Sequence, residues 1–334
     1  MCTPSIPSTR RTAGVLASVV AALASTVLGG CGDEGDAGGG TSTGVRIVAT
    51  NSIWADVASN VACDGSAQVV SLLPPGADPH AYEPSMADRG RMEEASVVVA
   101  NGLGLEASLD DSLESVEDGG VPVFRATDHV STLPFSGEVD HGEEDSGGGD
   151  AGHDGDDPHI WQDPMRTAAV AAALGDFLVE AGDLDAESVR RCVQLYTAEL
   201  EALDAEVEEM TSGVPNEQRV LVTNHDALGY FADRYGFEVL GTVIPGPGTL
   251  AETNPAEIEA LAQAIVEAGV PAVFVEEQHS DADARALADR VGEVEVVTLH
   301  TDALGEQGSG AATYLEMIRS NGDLVSRALG GAGS

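Results

Sequence analysis

From Val45 onward, short runs of β-branched and apolar residues alternate with longer stretches in which apolar positions recur every three or four residues. Val45–Ala49, Val69–Leu73, Val97–Ala100 and Val121–Phe124 read as strands, with helices from Ile53 and from Ser85 between them. The pattern resumes after residue 218 with strands Val220–Val222, Glu238–Val243, Ala272–Val275 and Val294–Leu299. Helices are expected there from about Asp226, Pro255 and Asp281, and a last one from about Ala311. Strand–helix alternation of this kind predicts parallel strands with crossover helices. The expected fold class is α/β, with two Rossmann-like lobes, each a mainly parallel sheet flanked by helices.

Between the two series, Val189, Val193, Tyr196, Leu200, Leu203, Val207 and Met210 recur at steps of four and three residues, the spacing of one buried helical stripe. A helix from about Asp185 to Met210 would be about 39 Å long, enough to run along both lobes. A dimeric coiled coil is the alternative, but the stripe spans about three heptads and stops at Ser212-Gly213 and Pro215, so it reads as an internal strut. The expected organisation is an N-terminal lobe over 45–182, a linking helix over 183–213 and a C-terminal lobe over 214–334. Residues 137–157 fit neither pattern: acidic, glycine-rich and without a basic residue, they are expected to form a mobile surface loop. His141 and His153 within it are weak candidate metal collectors.

The first thirty residues have a different character. Arg10 and Arg11 precede the uncharged stretch Ala13 to Leu28, which ends at Gly29-Gly30-Cys31. A charged start, a short apolar core and small residues at the end mark an export signal. The segment resembles a bacterial lipoprotein signal, which implies removal of 1–30, lipidation of Cys31, a flexible tether over 31–44 and an extracytoplasmic chain anchored to the cell membrane. Outside the cytosol thiols oxidise, so a Cys63–Cys192 disulfide is expected, with two separately buried thiols as the alternative.

Composition narrows the partners. The 334 residues carry 57 acidic and 15 basic side chains, a formal charge of −42, and every basic residue is arginine. No basic surface remains on which phosphates could gather, which excludes nucleic acid as a partner. An acidic, lysine-free surface fits a high-salt habitat, where ions screen the self-repulsion.

Three histidines stand where strands should hand over to loops. His80 follows Leu73-Pro74-Pro75-Gly76-Ala77-Asp78-Pro79, His159 lies within Asp157 to Pro164, and His225 follows Thr223-Asn224. Ligands of parallel α/β sheets bind at the carboxyl ends of strands, and Asp302 follows the last strand in the same way. Three neutral imidazoles and a carboxylate form an N3O set suited to tetrahedral Zn²⁺, with Mn²⁺ as the alternative.

The segments Thr50 to Asp56 (TNSIWAD), Pro74 to Pro84 (PPGADPHAYEP), Asn101 to Glu106 (NGLGLE), Asp157 to Pro164 (DPHIWQDP) and Asn224 to Phe231 (NHDALGYF) together resemble the zinc and manganese solute-binding proteins of ABC importers. The resemblance runs over nearly all of 45–330. It implies two lobes joined by one long helix, a cation held in the inter-lobe cleft by His80, His159, His225 and Asp302, and a monomer that delivers the cation to a cognate membrane permease. In that family a Glu in place of the third His accompanies manganese, so His225 points to zinc. Glu277, His279 and His300 are the candidates to substitute for Asp302. A metal-dependent surface adhesin would share the scaffold. A zinc hydrolase would need an open coordination position and a general base, and neither HExxH nor Gly-x-Ser-x-Gly occurs. No enzymatic activity is expected.

Overall fold

Two four-stranded, all-parallel sheets form the frame. The structure, a computed structural model, describes residues 44–330 apart from 64, 137–154, 247, 252, 279 and 293. The expected signal with its expected lipidation site Cys31, most of the acidic segment with His141 and His153, and His279 therefore lie outside the described residues. Among the described residues no helix is long and apolar enough to cross a membrane.

The first half runs β1 (Val45–Ala49), α1 (Ser52–Val61), β2 (Ala67–Ser71), α2 (Met86–Glu93), β3 (Val97–Ala100), α3 (Asp110–Asp118) and β4 (Val123–Arg125). Helices α4 (Pro164–Glu180) and α5 (Ala186–Ser212) follow. The second half runs β5 (Val220–Thr223), α6 (Gly229–Tyr235), β6 (Glu238–Thr242), α7 (Pro255–Ala268), β7 (Ala272–Glu276), α8 (Ala282–Val291), β8 (Glu295–Leu299) and α9 (Tyr314–Ala328). Strand orders β2-β1-β3-β4 and β6-β5-β7-β8 repeat one topology. In each, the order reverses beside the first strand of its half, where a crevice opens at the carboxyl ends.

Successive strand residues face opposite sides, and each sheet is buried on both. Ile47, Val97, Val99 and Phe124 of the first sheet, and Leu221, Phe274 and Leu299 of the second, join one apolar cluster that runs through both halves. Their neighbours Val48 and Val98 pack outward with Met92 and Leu113, while Val222, Val273 and Val275 pack with Leu261 and Leu287.

The shared cluster is organised by α5. Its 27 residues, about 40 Å at helical rise, pack against α4 and α1 on one side and α9 on the other. Val189, Tyr196, Leu200, Leu203 and Val207 form the buried stripe. Asp185 starts the helix, its carboxylate accepting from the Ser188 backbone. A disulfide joins Cys63, just after α1, to Cys192 in α5, closing a loop of 129 residues. A crosslink over such a span stabilises by about 2–5 kcal/mol, chiefly by restricting the unfolded chain.

Some elements sit differently from the sequence expectation. β2 begins and ends two residues earlier, because Ser71 turns its hydroxyl onto the Leu73 carbonyl as the chain bends toward Pro74. α6 starts at Gly229 rather than near Asp226, because Ala227 N closes a turn onto the His225 carbonyl and frees that residue to face the crevice. α9 starts at Tyr314 behind an N-cap at Thr313. Helices α3 and α4 were not singled out by the apolar pattern; the Ala-rich α4 is buried along much of its surface and shows little polar alternation.

Candidate metal centre

Four side chains converge between the carboxyl ends of the two sheets. His80 is carried by the loop after β2, His159 by the segment ahead of the short 3₁₀ turn Ile160–Gln162, His225 by the turn after β5 and Asp302 by the segment after β8. One ligand atom from each lies within 4.8 Å of all the others. His159 Nε2 stands 3.1 Å from His80 Nε2 and 3.3 Å from His225 Nε2. Asp302 Oδ2 is 3.3 Å from His225 Nε2 and 3.7 Å from His80 Nε2, and Oδ1 is 3.7 Å from His159 Nε2. A tetrahedral ion with arms of about 2.0–2.1 Å has ligand edges of about 3.3–3.4 Å, so these spacings suit one shared cation.

Carboxylates behind the rings set their tautomers. His159 Nδ1 donates to Asp157 Oδ1 at 2.7 Å, and the same oxygen accepts from the His159 backbone at 2.8 Å. His225 Nδ1 donates to Glu276 Oε1 at 2.6 Å. With the protons held on Nδ1, both Nε2 lone pairs point into the centre. Two lone pairs 3.3 Å apart repel unless a proton or a metal ion lies between them. Asp302 is buried, and apart from the ring nitrogens no donor among the described residues reaches either of its oxygens. A buried carboxylate left in that state is costly without a cation.

Titration follows from the same packing. Burial disfavours the His225 cation, but the Glu276 and Asp302 carboxylates outweigh it and hold the pKa well above the ordinary histidine value. Burial pushes Asp302 upward, yet His225 first, then His159 and His80, hold its carboxyl below the usual range.

The surroundings fix these side chains in place. Trp161 Nε1 and Gln162 Nε2 both donate to the Thr301 carbonyl, at 2.6 and 3.0 Å, and Leu304 N donates to Ser52 Oγ at 2.9 Å. The chain on either side of Asp302 is thus tied to first-half residues. Tyr230 Oη donates to the Asp157 carbonyl at 2.7 Å and accepts from Leu133 N at 3.0 Å. A Cβ at Gly229 would stand 2.7 Å from Asp157 Oδ2, so glycine there lets α6 approach the carboxylate that orients His159.

The structure thus brings His80, His159, His225 and Asp302 together and leaves the described substitutes outside. His300 Nδ1 instead pairs with Glu277 Oε2 at 2.9 Å. The orienting roles of Asp157 and Glu276 were not drawn from the sequence. An acid closing the otherwise apolar strand Ala272–Glu276 was the available signal, since a buried carboxylate needs a partner.

Known proteins share this frame. The model of the ZnuA family, "zinc-uptake complex component A periplasmic", matches residues 47–328. The chain is 31% identical over 306 residues to the manganese-binding lipoprotein MntA of Halalkalibacterium halodurans, covering 92% of this chain and 95% of that protein. It is 30% identical over 296 residues to the iron-binding protein YfeA of Yersinia pestis, covering 87% and 88%. The solved structure of the periplasmic zinc-binding protein TroA from Treponema pallidum matches with a TM-score of 0.74 at 30% identity, covering 86% of this chain and 99% of that one.

Proposed function

The chain belongs to the ZnuA family of periplasmic zinc-uptake components, and from that premise we propose that it captures Zn²⁺ between its lobes through His80, His159, His225 and Asp302. It is an extracytoplasmic metal-binding component of an ABC importer, and relatives among its matches are metal ABC transporter substrate-binding lipoproteins. The observation that carries the zinc reading is three imidazole nitrogens and one carboxylate, all but His80 fully buried, with neighbouring ligand atoms 3.1 to 3.7 Å apart. The cation is cargo: it is bound outside the cytoplasm and passed to a membrane permease. Lipidation at Cys31 would hold the monomer near that permease.

Manganese is the second reading, and one observation favours it. Both Asp302 oxygens face the ring nitrogens, so a bidentate carboxylate would raise the coordination to five, beyond the tetrahedral preference of zinc.

His225→Ala removes one nitrogen and leaves Glu276 and Asp302 without the imidazole between them. Zinc affinity, read by competition with a chromogenic chelator, is expected to fall at least about 100-fold, with the circular dichroism spectrum retained. Unchanged affinity in the folded variant would remove His225 from the site.

A further inference from the structure

A cavity of about 820 Å³ opens beside the four-residue group. Its walls come from both halves of the chain, Leu103, Leu105 and Phe135 facing Val239, Leu240 and Leu250. Asp110, Asp156 and Asp226 also line it, giving the passage a negative field that concentrates cations. Of the four candidate ligands, the lining among the described residues includes His80 and not the other three. Exposure agrees: the His80 side chain is 9% accessible, whereas His159, His225 and Asp302 are 0%. A cation at the shared centre therefore meets solvent on the His80 side.

His80 is also tied to the second half of the chain. His159 and His225 are braced by buried carboxylates, and the chain on either side of Asp302 is bonded to Trp161, Gln162 and Ser52. Behind His80, the Asp78 carboxylate bridges its backbone to Thr249. Its Oδ1 accepts from the His80 backbone at 2.8 Å, and its Oδ2 accepts from Thr249 Oγ1 at 2.7 Å, across 171 residues of chain. Thr249 belongs to the segment after β6, and its neighbour Gly248 lies against the imidazole, where a Cβ would stand 3.4 Å from His80 Nδ1. The second half of the chain thus closes over His80 through a hydroxyl and a bare backbone.

We propose that this cavity is the cation's route in and out, that His80 is the last ligand to close and the first to leave, and that the Thr249–Asp78 hydrogen bond is the latch setting the residence time. The inference rests on the four-residue metal site. It adds a division of labour: His159, His225 and Asp302 form a preset cradle, and Thr249 is a positioning residue acting through Asp78 on His80. A single hydrogen bond to a carboxylate is strong enough for its loss to change an off-rate by about an order of magnitude.

The test is zinc release from the loaded full-length chain into excess chelator by stopped flow, comparing wild type, Thr249→Val and Thr249→Ser. The valine keeps the side-chain shape and removes the donor; release is expected about ten-fold faster, with one zinc per chain still bound beforehand. The serine keeps the hydroxyl and should release within about two-fold of wild type. Should valine disturb the fold by circular dichroism, Thr249→Ala carries the same expectation. Wild-type release rates in the folded donorless variants, with one zinc bound, would overturn the latch and leave the metal site standing. A wild-type chain that binds no zinc or manganese would remove both.

Discussion

His225 sits between two carboxylates, and the contest between proton and metal at that one ring sets how the site answers pH. In the cation-free protein Glu276 and Asp302 hold His225 above its ordinary pKa. Its protonation therefore stabilises the fold fully below the ordinary histidine range, and that contribution is lost as pH rises through the raised value. Asp302, held low, works in the other direction: its contribution is present above the ordinary carboxylate range and is lost as pH falls through the depressed value. Under the proposed assignment zinc needs the neutral ring and must displace the proton, so binding is expected to weaken in acid. Calorimetry at pH 7 in two buffers of different ionisation enthalpy should show about one proton released per zinc; heats independent of buffer would contradict the assignment. The four clustered side chains were legible because three strand-end histidines, two of them beside prolines, and a strand-end aspartate stand out in the sequence. The bracing carboxylates Asp157 and Glu276 were not, since their role depends on which ring they face, and chain order does not carry that.

Helix α1 shows how an element of the first half holds the second. Its Ser52 hydroxyl accepts from Leu304 N, and its Asp56 carboxylate accepts from Tyr314 N at the start of α9 at 3.1 Å. Burial, with a smaller push from Glu316, raises the Asp56 pKa to about 6 against the opposing Tyr314 hydrogen bond. An acid raised in the folded state favours its proton there, so stability falls as pH rises from about 4 to about 6, and the full cost, on the order of 2–3 kcal/mol, stands above that. Asp56→Asn keeps an acceptor for Tyr314 N without the charge. It should raise the melting temperature at pH 8 by several degrees and leave it nearly unchanged at pH 4; an equal or lower value at pH 8 would contradict this account of Asp56. The strut α5 was legible because a stripe sustained over seven apolar positions at alternating steps of four and three buries one face of a helix and would scatter over both faces of a strand. The starts of α6 and α9 were not, because they are set by the turn that aims His225 and by the contact between α9 and α1.

Across the whole molecule, two copies of one parallel topology face each other through their carboxyl ends, and α5 with the shared apolar cluster fixes their spacing. The candidate centre needs that rigidity, because its side chains come from segments as far apart in sequence as His80 and Asp302 and their ligating atoms still lie within 4.8 Å. The α/β class and the repeated strand–helix order were legible from hydrophobic periodicity. The meeting of the two halves was implied by the family resemblance and not by periodicity, since it depends on long-range contacts such as Tyr230 to Asp157 and Trp161 to Thr301. The most direct measurement of the shared centre is zinc K-edge X-ray absorption on the loaded protein. Three imidazole nitrogens and a carboxylate oxygen at about 2.0–2.2 Å are expected, with one imidazole lost in His225→Ala. An all-oxygen shell, or a spectrum unaltered by that substitution, would contradict the site.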